Sequence, residues 1–172
     1  MLTEQRQPPS PPPVLRDTVT ITDRHAVRRI VDSTHFFRDD ETAVAVELVD
    51  EYLAKGERSG YRFVFAEIDG TVVGYACFGP IACTIGSFDL YWIAVDPKHQ
   101  GCGLGRILMA ETERRIRDCG GRQIYIETSG RPDYLPTRVF YERCGYTVAC
   151  VLPDFYEQGD DKVVWNKVCR AS

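Results

Sequence analysis

The sequence predicts a single domain built on a mixed α/β sheet with helices on both faces. Three observations carry that expectation. Two helices, three strands, a helix, a strand, a helix and two strands follow one another along the chain, an order that builds a sheet covered on both sides. The stretch 88–128 reads strand, helix, strand, which calls for a right-handed parallel crossover. The 172 residues are 44% hydrophobic and 27% charged, an ordinary globular balance on a chain long enough for one sizeable core.

Each element has a local reason. Residues 1–17 hold Pro8, Pro9, Pro11, Pro12 and Pro13. Prolines cannot donate backbone hydrogen bonds, so a disordered or polyproline tail is expected there, with the folded domain over 18–172. Thr22-Asp23 starts a helix that carries Val27, Ile30 and Val31 at helical spacing. A second helix starts at Asp39-Asp40-Glu41, shows a stripe of Val44, Leu48 and Leu53, and stops at Gly56. Arg62–Ile68 alternates as a strand, Asp69-Gly70 is a two-residue hairpin turn, and 71–78 returns until Gly79-Pro80 breaks it. Phe88–Val95 is a strand stopped by Asp96-Pro97, and 103–118 is an amphipathic helix ended by Gly120-Gly121. A strand at 123–128, a short helix at 136–143 and two strands, 147–152 and 162–168, complete the chain. Residues 153–161 are expected to be the loop between the last two.

Composition excludes some functions. The net charge of −4 argues against a general nucleic-acid binder. No apolar run is long enough to span a bilayer, and no signal peptide is visible, so no membrane partner is expected. Seven scattered cysteines without a C-x-x-C pair argue against a disulfide framework or a metal site and suggest a reducing cytoplasm. Most of them are expected to be small core residues.

The chemistry concentrates at Asp96-Pro97-Lys98-His99-Gln100-Gly101-Cys102-Gly103-Leu104-Gly105-Arg106. A strand ends, a glycine-rich turn follows and a helix begins. Glycines permit positive φ and close backbone approach, so successive amides form an anion nest at the positive end of a helix. The natural guest is a phosphate or pyrophosphate. The spacing fits neither a dinucleotide fingerprint, since position 108 is leucine, nor a G-x-x-x-x-G-K-[ST] loop. No G-x-S-x-G is present either.

What remains is Q/R-x-x-G-x-G/A, here Gln100 to Gly105, preceded by Leu90-Tyr91-Trp92-Ile93-Ala94-Val95-Asp96-Pro97. This resembles the acyl-CoA-binding segment of the GCN5-related N-acetyltransferases. Phe140-Tyr141-Glu142-Arg143-Cys144-Gly145-Tyr146 resembles the same family's F-Y-E-x-x-G-F/Y signature. Both occur in order with a strand between them, and the resemblance covers about residues 18–168.

The resemblance implies an acyl-CoA N-acyltransferase fold, a splayed mixed sheet flanked by helices. It implies acetyl-CoA as co-substrate and direct attack by a primary amine of a small molecule or peptide in a ternary complex. Gly101, Cys102, Gly103, Leu104, Gly105 and Arg106, introduced by Gln100, would hold the pyrophosphate. The pantetheine arm would pair with the strand edge at Ile93 and Val95, and the N–H of Ile93 would polarise the thioester carbonyl. Tyr141 matches the tyrosine that donates to the departing thiolate. The family's asparagine seven residues before it is Tyr134 here, so Tyr134 or Thr128-Ser129 would take over its contact with the cofactor.

An amine must lose its proton before it attacks. Asp89 is one candidate base, because strict alternation would place Asp89, Tyr91, Ile93 and Val95 on one face. Glu127 on the next strand is the other. A carboxylate in an apolar strand needs a cleft or a partner, and Arg131 or Arg138 would serve. An acyl-CoA sensor without catalysis and a CoA-dependent O-acyltransferase remain open alternatives. The acceptor's identity and the oligomeric state, a homodimer among the options, are not set by these motifs. Acidic residues at 39–51 and 154–161 would attract a cationic amine or simply meet water.

Overall fold

The computed structural model describes residues 11–169. Seven strands form one sheet in the order β1-β2-β3-β4-β5-β7-β6. The strands are β1 (Val14–Arg16), β2 (Arg62–Ile68), β3 (Thr71–Pro80), β4 (Ser87–Val95), β5 (Gln123–Ser129), β6 (Thr147–Glu157) and β7 (Asp160–Val168). The helices are α1 (Asp23–Ser33), α2 (Asp39–Lys55), α3 (Leu104–Asp118) and α4 (Leu135–Arg143). All pairings are antiparallel except β4 with β5, the crossover that the order of elements called for.

Each face of the sheet buries a separate core. One packs Phe88, Leu90, Ile124, Ile126 and Trp165 against Leu104, Leu108 and Ile116 of α3 and Tyr141 of α4. The other packs Phe63, Phe65, Tyr75 and Ala94 against Val27, Ile30 and Val31 of α1 and Ala45, Val46 and Val49 of α2. Among the described residues, no helix is long and apolar enough to cross a membrane.

Several expectations need correction. Residues 14–16, inside the expected tail, pair with β2 as β1. The strand docks through Arg16, which donates to the buried carboxylate of Asp23 at 2.6 and 3.0 Å and to Glu67 at 2.6 Å. The rest of the proline-rich segment, residues 1–10, lies outside the described residues. The buried stripe of α2 is Thr42, Ala45, Val46 and Val49, while Val44 and Leu53 are exposed. The small Ala45 lets α2 lie close to α1, a preference that counting large apolar residues overlooks. Gly79-Pro80 does not stop β3 at residue 78: both residues pair with β4, and the strand ends at Pro80. Gly79 is there because a Cβ would sit 2.1 Å from the carbonyl oxygen of Gly60.

The expected loop at 153–161 is largely strand. Glu157 pairs with Asp160, and Asp154 accepts from the Gly159 amide at 2.7 Å while its own N–H donates to Asp161 at 3.0 Å. The acidic side chains bridge the hairpin's irregular backbone. Of the seven cysteines only Cys77 is fully buried, and Cys83, Cys102, Cys119 and Cys150 are exposed, against the expectation that most sit in the core.

One correction moves a candidate residue. Cys77 faces Trp92 but Phe78 faces Leu90, so β4 carries one extra residue, a bulge at Tyr91. The bulge reverses the alternation. Phe88, Leu90, Ile93 and Val95 pack on the α3 side, whereas Trp92 and Ala94 pack on the α1–α2 side. Asp89, next to Phe88 and Leu90, therefore lies on the face opposite Ile93 and Val95.

Candidate functional site

The glycine turn is held from both ends. Asp96 leaves β4 with its amide bonded to the Val73 carbonyl and its carboxylate accepting from Lys98 N–H at 3.0 Å and from Arg29 of α1 at 2.8 Å. Gln100 donates through Nε2 to the Val95 carbonyl at 3.0 Å, so its side chain ties the turn to the strand. Gly101 and Gly103 then have φ of +77° and +88°. These left-handed values suit glycine and turn successive amides outward. The first intrahelical bonds come from Arg106 and Ile107 to the Gly103 carbonyl. Among the described residues no acceptor meets the amides of 101–105. Five free donors at the N-terminus of a fifteen-residue helix are what an anionic phosphate requires.

The strand beside the turn is open as well. β4 and β5 pair only at Ser87–Asp89 with Gln123–Tyr125. Beyond Asp89 the strands diverge, leaving Leu90–Val95 without a partner on that side. The bulge at Tyr91 falls where the divergence begins, and bulges end pairing and bend a strand.

Two cavities flank the gap. The first, of about 630 Å³, is lined by the turn glycines, Leu104, Arg106, Thr137, Phe140, Arg143 and the β4 segment 93–95. The second, of about 560 Å³, is lined by the α1–α2 connection, Tyr91–Val95, Glu127–Ser129, Tyr134, Tyr156 and Asp160. Ile93, Val95, Gln100 and Tyr141 border both. The Tyr141 ring is buried against Tyr146 and Trp165, at centroid distances of 6.0 and 6.2 Å. That burial pushes its phenol well above the ordinary tyrosine range, so it stays protonated at physiological pH.

The sequence candidates fall into distinct places. Gly101, Gly103, Leu104, Gly105 and Arg106 line the first cavity; Leu104 does so from a side chain sunk into the core, which leaves its amide to the nest. Cys102 turns away, its thiol donating to the His99 carbonyl at 2.8 Å. Tyr134 borders the second cavity rather than the first, 4.3 Å from the Phe36 ring, so the structure does not put it beside the nest. Glu127 lines the second cavity and pairs with Lys162 at 2.7 Å, not with Arg131 or Arg138. Arg138 instead donates to the carbonyls of Ser129 and Arg131. Asp89 borders neither cavity; burial, then the nearby charge of Glu127, raises its carboxyl above the usual range. Burial also pushes the phenols of Tyr91 and Tyr156 up to about 12.

Sequence reasoning missed Arg143, a second cation beside the nest, although it stands within the second motif. It also missed the aromatic arc Trp92–Phe37–Phe36–Tyr134, whose successive rings lie 4.6, 5.2 and 4.3 Å apart. Phe36-Phe37 sits between two helix signals and has no periodicity to announce it. Lys162 was readable only once the β5–β7 register was known.

Comparison with known proteins agrees with this geometry. Residues 24–146 match the family model for the GNAT acetyltransferase family. A GNAT-family protein of Desulfovibrio desulfuricans is 49% identical and superposes with a TM-score of 0.91, covering 92% of this chain and 99% of that one. An N-acetyltransferase of Methanocaldococcus jannaschii is 34% identical over 113 residues, 61% of this chain; the match spans 65% of that relative's length. A Salmonella typhimurium structure solved with acetyl-CoA is 20% identical, has a TM-score of 0.71 and covers 93% and 95% of the two chains, a likeness of fold.

Proposed function

The chain belongs to the GNAT acetyltransferase family, and on that premise we propose that it moves the acetyl group of acetyl-CoA to an amine that enters from the second cavity. The observation that carries this reading is Tyr141, which borders both cavities at the open end of β4. A module that only sensed acyl-CoA would need no second cavity meeting the first at a buried phenol.

The residues present fit the co-substrate. The free amides of 101–105 receive the pyrophosphate, and Arg106 and Arg143 add positive charge at its rim. The unpaired edge of β4 accepts the amide-bearing arm as a further strand would be accepted. Acetyl-CoA supplies the activated acyl group. The N–H of Ile93 donates to the carbonyl oxygen as negative charge grows on it. Glu127 takes the proton of the incoming ammonium, directly or through water, from its place in the second cavity. Tyr141 donates its proton to the departing sulfur. Its high pKa makes it a donor that is always loaded at neutral pH. We place this reaction in the cytoplasm, as free thiols and a cytosolic acyl donor suggest.

Released CoA thiol, measured with acetyl-CoA and a panel of amines, alcohols and peptides, tests the reading. Amine-dependent release supports it. Release with alcohols alone would reassign the chain as an O-acyltransferase. Tight acetyl-CoA binding with no release on any acceptor would make it a sensor.

A further inference from the structure

We propose that the acceptor carries a carboxylate as well as its amine, and that Arg131 receives that carboxylate: a free amino acid with an apolar or aromatic side chain. This rests on the acetyl-transfer reading above and names its substrate class.

Arg131 stands on the loop between β5 and α4 and lines the second cavity. Its backbone is fastened. Its N–H donates to Ser129 Oγ at 3.1 Å, its carbonyl accepts from Arg138 at 2.8 Å, and the neighbouring Gly130 amide donates to the Asp161 carbonyl at 2.7 Å. Its head is not. Nε is buried without a hydrogen-bond partner among the described residues. The nearest carboxylate oxygens, on Asp133 and Asp160, stand at 3.6 and 3.7 Å, beyond hydrogen-bond range. They hold the guanidinium in place by charge without using its donors.

A buried donor with no acceptor is costly, and a guanidinium has donors only, set in a fork that matches a carboxylate. Apart from Asp133, whose charge faces Arg131 itself, the other ionised groups on this cavity are already engaged. Arg38 pairs with Asp40 at 3.1 Å, and its amide donates to Glu41 at 2.9 Å. Glu127 is paired with Lys162, and Asp160 accepts from Ser129 Oγ at 2.5 Å. Arg131 alone among them keeps an unmatched buried donor. Beside Arg131 the same cavity is lined by the arc of Tyr134, Phe36, Phe37 and Trp92, which offers an apolar surface to the side chain that branches from the carbon bearing both amine and carboxylate. The Trp92 Nε1–H, also buried without a partner, offers a further donor at the far end of that arc.

The test compares acceptors of one body: phenylalanine, phenylalaninamide and phenethylamine, with leucine, leucinamide and isopentylamine as the aliphatic set. The proposal expects kcat/KM for the free acid to exceed that for its amide and amine by about tenfold or more, the worth of a charged hydrogen bond. In Arg131→Gln that preference should collapse through KM, and Arg131→Lys, which keeps the charge but not the fork, should recover only part of it. Melting curves and acetyl-CoA titrations of each variant check that the fold and the first cavity persist. Equal or better use of the amides and amines by the wild type overturns the proposal and leaves acetyl transfer standing. So does a preference that survives Arg131→Gln, or transfer to other amines with none to any amino acid in a panel of the common twenty. Absence of transfer to every amine offered would overturn both.

Discussion

The two halves of the site are built in opposite ways. On the nest side the backbone would do the binding: five amides from one continuous stretch, 101–105, meet no acceptor among the described residues, and Gly101 and Gly103 adopt left-handed φ. On the side proposed for the acceptor, the second cavity, the walls are side chains from four places far apart in sequence, namely the α1–α2 connection, β4, the β5–α4 segment and the β6–β7 hairpin. A backbone site is written in one short motif and tolerates change elsewhere. A side-chain site has no such motif, and each wall can change independently. On the proposed function, the difference teaches where specificity is free to vary: a backbone phosphate site depends on a few adjacent glycines, whereas the acceptor side has no contiguous code to preserve.

The largest effect should come from filling the nest. Gly103→Asp puts a carboxylate beside the phosphate position and an L-residue at φ +88°. Gly105→Glu adds a Cβ only 3.3 Å from the Phe140 ring, along with the same charge. Calorimetry should find acetyl-CoA binding abolished in both, with far-UV circular dichroism unchanged. A folded variant of normal affinity would show that the amides are not the anchor. Tyr141→Phe tests the junction itself. It keeps the buried ring and removes the donor, so kcat should fall by about 10²-fold with acetyl-CoA affinity preserved. Normal turnover would mean that water protonates the thiolate.

That asymmetry also explains what could be read in advance. The crossover, the turn and both motifs were legible because each depends on residues adjacent in sequence. The bulge at Tyr91 was not, because it is fixed by how β4 registers against Cys77 and Phe78 of β3, and only the paired structure shows the extra residue. Alternation alone put Asp89 with Ile93, and a single inserted residue reverses it. The α2 face failed for a related reason: the strip that packs is chosen by α1, and it prefers the small Ala45 to the larger Val44. The acceptor walls were hidden because Phe36, Phe37 and Lys162 acquire meaning only from neighbours in space.

On the acceptor side, Glu127→Gln should reduce kcat/KM by about 10²-fold at neutral pH, with a deficit that shrinks as pH rises and free amine replaces ammonium. A pH-independent deficit would make Glu127 a binding residue instead. A smaller effect belongs to the support behind that wall. Arg16→Ala leaves the Asp23 carboxylate, 1% exposed at the start of α1, without its cationic partner, while the Thr20 amide and hydroxyl still donate to it. It should cost about 2 kcal/mol in urea denaturation. Because α1 leads into Phe36-Phe37, the acceptor KM should rise while acetyl-CoA affinity holds. Loss of both together would show that the halves are not independent.

Asp89→Asn should have the smallest effect on turnover, and it separates the two carboxylates. The bulge places Asp89 away from Ile93, and it borders neither cavity. Its turnover should therefore stay within a few-fold of wild type, well short of the general-base range. Its signature should appear in stability. Burial and the charge of Glu127 raise its carboxyl, and only Lys162 opposes them. The folded state thus holds the proton more readily than the unfolded chain does. That preference favours the fold below the ordinary carboxylate range and is lost as pH rises through the raised value. At neutral pH the ionised Asp89 works against folding, and asparagine removes that cost. The gain is small because the group is half exposed and screened. Melting temperatures should show Asp89→Asn above wild type near neutral pH and level with it at about pH 3, where both side chains are uncharged. A variant that instead melts lower at neutral pH and turns over a hundredfold more slowly would return the base to Asp89. It would also mean that the β4 bulge closes when the acceptor binds.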